Sequence, residues 1–204
     1  MPPPEASPLS AVALVGLLAG SSLASGLRLY ATLAVLGFLG RIGALALPGH
    51  LTVLANPWVI AAAACLYLVE FLADKIPYVD SIWDAVQTFV RVPASVLLAW
   101  AALAEIPDYW RVIAALLCGG LTLSVHGLKS GARVAVNTSP EPVTNWAASL
   151  TEDGTTAVLL WLAVAHPVAA LAAAAVVIVA TVLFLSWMRR ALRSLLSRGQ
   201  RAPA

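Results

Sequence analysis

The chain has 204 residues, of which 61% are hydrophobic and 11% are charged, and its formal net charge is +2. Soluble domains carry about 25% charged residues, so this composition excludes a soluble globular protein and predicts an integral membrane protein. The length predicts one all-α bundle of about five to seven membrane segments. The two cysteines, Cys65 and Cys118, lie in apolar runs and favour neither a disulfide nor a metal site.

The chain begins with a polar, proline-rich lead over residues 1–8, which we expect to be disordered. This lead contains no Lys or Arg, so it does not resemble a signal peptide. Leu9 to Leu27 is free of charge and long enough to span a membrane. Within it, Gly16, Gly20 and Ala24 recur every four residues, a spacing that predicts close helix packing in lipid. The alternative is a kinked helix, because glycine and serine weaken the same stretch.

Two arginines bracket the next apolar run. Arg28 and Arg41 enclose Leu29 to Gly40, which has 12 residues and is shorter than the roughly 20 residues that a spanning helix needs. This run spans the membrane only if one of the arginines reaches the interface or faces protein. A loop is predicted over residues 48–57, and Pro57 is well placed to begin the next helix.

The strongest concentration of charge follows a predicted span from Trp58 to Ala73. Tyr67, Glu70 and Asp74 share one helical face at the end of this span, because they are three and four residues apart. The sequence around Pro77 then predicts a break in the helix.

A short helix is predicted after this break, capped by Asp80 or Ser81 and running to about Phe89. Its polar face carries two carboxylates, Asp80 and Asp84. A second break is predicted at residues 91–93, where Pro93 interrupts the helical pattern.

The second half of the chain repeats this order of segments. Arg111 to Leu128 is a predicted span, followed by a short helix over about 144–150 and a break at 151–154. The charge-free run that follows is divided at His166–Pro167. Val168 to Met188 is again long enough to span a membrane.

A shift of 63 residues aligns residues 57–107 with 120–170 without a gap. The identities include a tryptophan, a proline and a threonine: Trp83 with Trp146, Pro77 with Pro140 and Thr88 with Thr151. Short apolar segments beside breaks predict two broken or re-entrant helical hairpins related by an internal repeat, as in transporters with a midplane site. If each hairpin enters and leaves the membrane on the same side, the second copy is inverted relative to the first. If the short segments cross the membrane instead, the two copies run parallel. The alternative is a chance match, or a shared turn type without function.

Three motifs carry a resemblance to a known family: GLRLYATLAVLGFLGR (Gly26 to Arg41), EFLADKIPYVDSIWDAVQTFVRVPAS (Glu70 to Ser95) and SPEPVTNWAASLTEDG (Ser139 to Gly154). They resemble a family of bacterial membrane proteins catalogued as domain of unknown function 4126, over most of residues 10–188. The resemblance implies a polytopic inner-membrane protein. It supplies no activity, substrate or catalytic residue.

The candidate binding site combines the charged stretch with its second copy. Ionisable groups in membrane segments cost about 2.5–3.5 kcal/mol each on insertion scales, so they usually face a cavity and pair with one another. We predict cation or proton binding by Glu70, Asp74, Lys75, Asp80, Asp84, Arg91, Asn137, Asn145, Glu152 and Asp153. The alternative is a position at the water interface, where Asp80 and Asp84 only cap and solvate a helix.

Other side chains extend this site. Arg28, Lys129 and Arg133 are candidates for binding a phosphate or lipid headgroup, because arginine presents paired donors; the alternative is interfacial snorkelling or pairing with the acids. Three aromatic residues are expected to line the cavity or to anchor the chain at the interface: Tyr67, Trp83 and Trp146.

The leading functional hypothesis is a small membrane transporter or channel-like permease, coupled to ions or protons, with its site between the two broken hairpins. The alternatives are a non-catalytic helper or assembly subunit and a lipid or lipid-carrier translocase. Zinc-protease, nucleophile-elbow and P-loop motifs do not occur, so we expect no enzyme, no cofactor and no metal.

The expected partners are the lipid bilayer and a second copy or another membrane protein, and not nucleic acid. A basic tail over residues 189–204 predicts a multi-pass protein of the bacterial inner membrane with a cytoplasmic C-terminus.

Overall fold

The computed structural model describes residues 9–138 and 141–199, without the side chains of residue 142 and of 191–199. The predicted lead over 1–8, Pro140 and the last five residues lie outside this description. Six α-helices and one 3₁₀ helix form the described chain. The helices are α1 (Ala11–Arg41), the 3₁₀ helix (Gly49–Ala55), α2 (Pro57–Ala73), α3 (Val79–Ala102), α4 (Asp108–Val136), α5 (Pro142–Ala165) and α6 (Pro167–Gly199).

α1 is the central helix of the bundle and contacts each of the other helices. Every residue from Gly16 to Gly26 is buried, as expected for a helix that is apolar on all sides. α3 packs mainly against α4, and α5 packs mainly against α1. α2 makes few contacts with α3, and α4 makes few contacts with α5, although the helices of each pair follow one another in the chain.

The membrane character predicted from composition is consistent with these helices. Four of them are long and apolar enough to cross a membrane, and five if the 3₁₀ helix and α2, bent by 73° to one another, count as one broken span. Large apolar side chains face outward on the described helices, and Trp58 and Phe89 are 83% and 82% exposed. Such a surface is stable against lipid tails and not against water.

Several predicted boundaries are present. Pro57 is the first residue of α2, and Asn56 caps it by accepting a hydrogen bond from the backbone N–H of Trp58. The division at His166–Pro167 separates α5 from α6. The predicted loop over 48–57 instead contains the 3₁₀ helix, in which Gly49 has a positive φ of 54° and packs against the backbone of α3.

Two predicted breaks were wrong. α3 continues through residues 91–93 with Pro93 inside it, and α5 continues through 151–154. In lipid, ending a helix leaves backbone groups without water, so continuing past one proline is less costly than stopping. Thr151 and Thr156 also satisfy their hydroxyls within α5, on the carbonyls four residues earlier.

The helix bounds repeat at the predicted spacing. α2 ends at Ala73 and α3 occupies Val79–Ala102; 63 residues later, α4 ends at Val136 and α5 occupies Pro142–Ala165. Each copy therefore consists of one break of five residues between two helices. The residues that follow α2 and α4, Asp74 and Asn137, are both in right-handed helical conformation.

Candidate functional site

Ten charged side chains meet inside the bundle and form what we call the charge cluster. They come from five helices and from the break after α2: Arg28 of α1, Glu70 of α2, Asp74 of the break, Asp80, Asp84 and Arg91 of α3, Lys129 and Arg133 of α4, and Glu152 and Asp153 of α5. The side chains of its four cations are at most 1% exposed. Asp80 and Asp84, for which a position at the water interface was the alternative, are both buried.

The central helix is kinked where it enters the cluster. Arg28 has φ −143° and ψ 83°, outside the helical range. A kink releases backbone carbonyls from the helical ladder, and these need new partners at membrane depth. Two cations of the cluster supply them: Arg91 Nη1 donates to the Gly26 carbonyl at 2.9 Å, and Lys129 Nζ to that of Leu27 at 3.4 Å.

Arg28 uses all three of its nitrogens inside the protein. Its Nε donates to Asp153 Oδ1 at 2.7 Å, and its Nη1 donates to Asp74 Oδ2. Its Nη2 donates to the hydroxyl of Ser149 at 3.0 Å and lies 3.3 Å from Glu152 Oε2. The kink in α1 is thereby connected to α5 and to the break after α2.

Lys129 lies at the centre of the cluster, within 4 Å of four carboxylates. Its Nζ is 3.0 Å from Asp84 Oδ1 and 3.1 Å from Asp74 Oδ2. Asp74 Oδ2 is in turn shared by three cations, since Arg28 and Arg133 also pair with it. This lysine and this aspartate therefore join the two copies of the repeat.

A second branch of the cluster reaches α3. Arg91 pairs with Glu70 through Nη2 and approaches His126 Nδ1 at 3.0 Å through Nη1. Arginine only donates, so Nδ1 accepts and the ring hydrogen is on Nε2. Nε2 then donates to the backbone carbonyl oxygen of Asp84 at 3.0 Å, which fixes the orientation of the histidine ring.

The second copy supplies a matching set of contacts. Arg133 stands 63 residues after Glu70, at the corresponding position of α4, and pairs with Glu152 Oε1 at 2.8 Å. Asn137 corresponds in the same way to Asp74 and donates to Asp80 Oδ1 at 2.8 Å. Asn145 is fully buried and donates to the side-chain oxygen of Asn137 at 3.4 Å.

The cluster has more acids than bases. Its six carboxylates face its four cations and Lys75, whose side chain lies beside the cluster on Ser149, so the formal charge of this group is −1. Three buried carboxylate oxygens have no hydrogen-bond partner or ion pair within it: Glu70 Oε2, Asp74 Oδ1 and Asp84 Oδ2. An unpartnered carboxylate oxygen in a low-dielectric interior is a strong acceptor for a proton.

Sequence reasoning missed the buried hydroxyls beside the cluster. Thr122 Oγ1 donates to Ser95 Oγ at 2.7 Å, and Ser95 Oγ lies 3.3 Å from Ser22 Oγ. The sequence spacing contains a signal for these hydroxyls, because Ser95 follows Arg91 by four residues and Thr122 precedes His126 by four.

The predicted aromatic and basic residues are spread over the site. Lys75 forms no ion pair within 4 Å with an acid of the described residues; its Nζ lies 2.9 Å from the centre of the Phe71 ring and 5.0 Å from that of Trp146. Trp146 is 51% exposed and Trp83 is half-buried. The ring pairs among the described residues do not join these two tryptophans.

The small-residue face of α1 is occupied within the chain itself. A Cβ on Gly16 would overlap Pro167, and one on Gly20 would overlap Ala163 of α5. Ala24 is fully buried in the apolar core. This face packs α1 against α5 and α6.

A crevice adjoins the charge cluster between α1, α2 and α5. It encloses about 240 Å³. Most of its wall is apolar, with Ala34, Ala64 and Ala157 from the three helices. Its polar lining includes Arg28 and Asp153, which also belong to the cluster.

A family model described as Domain of unknown function (DUF4126) matches residues 15–187. The chain belongs to this family. No curated protein and no solved structure matches it. The matched range includes the whole charge cluster of this DUF4126 protein, both repeat copies and the crevice.

Proposed function

We propose that this DUF4126 protein is a small membrane transporter in which the charge cluster couples substrate movement to protons. One observation carries the proposal: three interruptions of the helical backbone converge on the buried cluster. They are the kink at Arg28, the break that begins at Asp74 and the break that begins at Asn137. Discontinuous helices around a polar centre are the arrangement that transporters use for ion and substrate sites.

The energetic cost of the cluster supports a working role. Each ionisable group costs about 2.5–3.5 kcal/mol at membrane depth on insertion scales, and replacing buried ion pairs by apolar residues is often neutral or stabilising. Ten such groups in one chain are more than packing the bundle requires. Retaining an unbalanced negative charge among them gives the protein a place for one proton.

Protonation has a direct mechanical consequence in this geometry. A proton on Glu70 weakens its attraction for Arg91, Arg28 and Lys129 together, and these cations belong to α3, α1 and α4. The interruptions of α1 and of the two copies are then the points at which backbone angles change. Loading and release of a proton thereby shift the bundle between two arrangements.

The two other hypotheses receive less support. A headgroup site formed by Arg28, Lys129 and Arg133 needs free donors, and these side chains are engaged by carboxylates. A helper subunit that docks through Gly16 and Gly20 needs this face to be free, and it contacts Pro167, Ala163 and Ala170 of the same chain. We place the transporter in the bacterial cell membrane with its basic end in the cytoplasm.

The test uses the purified full chain in liposomes that contain a trapped pH indicator. A proton gradient is imposed, and pools of organic cations, organic anions and neutral solutes are added in turn. We expect one pool to accelerate proton movement, and Asp74→Asn to reduce this movement by at least about tenfold. Glu70→Gln should do the same if Asp74→Asn fails to fold.

The control is Glu141→Gln, an exposed acid in the second break that lies outside the cluster. It should retain the proton movement of the natural chain. The proposal is wrong if no pool moves protons, or if the two cluster variants transport as well as Glu141→Gln.

A further inference from the structure

The crevice beside the charge cluster is large enough for a small molecule, although not for a drug-sized one. Its volume of about 240 Å³ is below the range of about 300–1,000 Å³ that is typical for drug-sized ligands. Small and branched apolar side chains from α1, α2 and α5 form most of its wall, and Arg28 and Asp153 connect it to the cluster. A ligand in this crevice therefore combines a compact apolar body with a polar end.

The charge that such a ligand meets is negative. Every nitrogen of Arg28 is already engaged inside the protein. The partly exposed members of the cluster are its α5 acids, since the side chains of Asp153 and Glu152 are 19% and 12% exposed while those of the cations are at most 1% exposed. Of the two charged side chains that line the crevice, Arg28 and Asp153, the Asp153 carboxylate is thus the one that a ligand can reach.

The amount of charge to be matched is one unit. The charge cluster and Lys75 together have a formal charge of −1. The other titratable groups that face them carry no charge, since His126 accepts from Arg91 as the neutral ring and Tyr67 lines the crevice as a phenol. All charged groups that face Asp153 from α1 to α5 are included in this count. One proton or one monovalent cation restores neutrality, and a divalent ion overshoots it.

An aromatic ring adds a contact suited to an organic cation. Tyr67 lines the crevice, and its ring centre lies 6.0 Å from that of Phe71 in a tilted arrangement. The face of an aromatic ring attracts ammonium groups, most strongly when they are desolvated. An inorganic cation needs several oxygen ligands, whereas the apolar wall here offers few.

We propose that the substrate of this transporter is a small organic monocation with an apolar body, which binds in the crevice with its positive charge at Asp153. This inference rests on the proposed function and names the substrate class of the same site. The cation and the proton neutralise the same negative charge, so each displaces the other. The protein is therefore an exchanger of one proton for one organic cation.

The probe is benzyltrimethylammonium, which carries one permanent charge on a compact apolar body. Binding to the purified full chain is measured by calorimetry over a range of pH, beside neopentylbenzene, its neutral counterpart, and benzoate. We expect binding of the cation alone, with release of about one proton per cation and an affinity that falls by up to about tenfold per pH unit in the acid range.

Two variants locate the site. Asp153→Asn should weaken cation binding by at least about tenfold. Ala64→Leu should block binding by filling the crevice, whereas Ala61→Leu, on the exposed side of the same helix, should bind normally. Since Ala64→Leu leaves every charged group in place, it tests the site even if Asp153→Asn fails to fold.

The outcomes separate this inference from the proposed function. If benzyltrimethylammonium does not bind while an anion or neutral pool moves protons in liposomes, the substrate class is wrong and the transporter stands. If benzyltrimethylammonium binds equally well to Ala64→Leu, the crevice is not the site. If no pool moves protons, the proposed function and the inference fail together.

Discussion

Lys129→Met gives the most direct energetic test of the charge cluster. The lysine Nζ lies 3.0 to 3.8 Å from four carboxylates, those of Asp84, Asp74, Glu152 and Glu70. Methionine keeps most of the length of the side chain and removes its charge, so these acids lose their shared partner. Removing one member of a buried ion pair costs about 3–5 kcal/mol. We expect a loss of unfolding free energy of this size.

A double-mutant cycle identifies the cause of this loss. Asp84→Asn in the Lys129→Met background removes a carboxylate that the lysine neutralised at 3.0 Å. We expect the double variant to be more stable than Lys129→Met alone, with a coupling of about 1–3 kcal/mol. The assay is reversible unfolding of the purified protein in mixed detergent micelles, followed by circular dichroism.

The control for this cycle is the pair of Arg111 and Asp108, whose charged atoms lie 3.0 Å apart and in which the Asp108 side chain is 82% exposed. Asp108→Asn should cost less than about 1 kcal/mol, because an ion pair with one partner in water contributes little. If Lys129→Met is as mild as this control, or if its effect and that of Asp84→Asn add within about 0.5 kcal/mol, the cluster is not a coupled network and the reasoning is refuted.

Three further predictions concern packing and hydrogen bonding. Thr122→Val should lower the unfolding free energy by about 1–3 kcal/mol because it leaves the Ser95 hydroxyl without its donor, whereas Thr122→Ser should stay close to the natural chain in the same unfolding assay. Gly20→Leu should abolish folded monomer in size-exclusion chromatography, because its side chain would enter Ala163, whereas Gly120→Leu, which faces open space, should be tolerated. Pro93→Ala should raise the midpoint of thermal unfolding, since it restores a hydrogen bond inside a continuous α3; a lower midpoint would contradict the helix continuity described above.

The positions of the helices could largely be predicted from the sequence. Apolar run length located the spans, and Asn56–Pro57 and His166–Pro167 marked helix boundaries through local backbone chemistry. The breaks at Pro93 and Thr151 were overpredicted for a physical reason. Local propensity favours an interruption at these residues, but the need to pair backbone groups in lipid favours continuation.

The members of the candidate site could also be located from the sequence, whereas their pairing could not. Each charged residue stands out in an apolar chain, and the shift of 63 residues predicted two related halves. Arg28 pairs with Asp153, however, 125 residues away, and no local pattern encodes that contact. Arg28 and Arg133 pair with acids, which is the alternative that their sequence context allowed beside headgroup binding.

The hydroxyls beside the cluster show a second limit of sequence reasoning. Ser22, Ser95 and Thr122 are common residue types in membrane helices, and their significance comes from meeting between α1, α3 and α4. Helical spacing from Arg91 and His126 identifies them only after these two residues are known to touch.

Infrared difference spectroscopy of the full chain in lipid tests the central claim most directly, because it detects the carbonyl stretch of a protonated carboxyl group. We predict that lowering the pH produces one such band, corresponding to about one carboxyl per chain, and that Asp74→Asn, Glu70→Gln or Asp84→Asn shifts or removes it while Glu141→Gln leaves it unchanged. A spectrum in which no band depends on these three acids would mean that the cluster binds no proton, and would contradict the proposed mechanism.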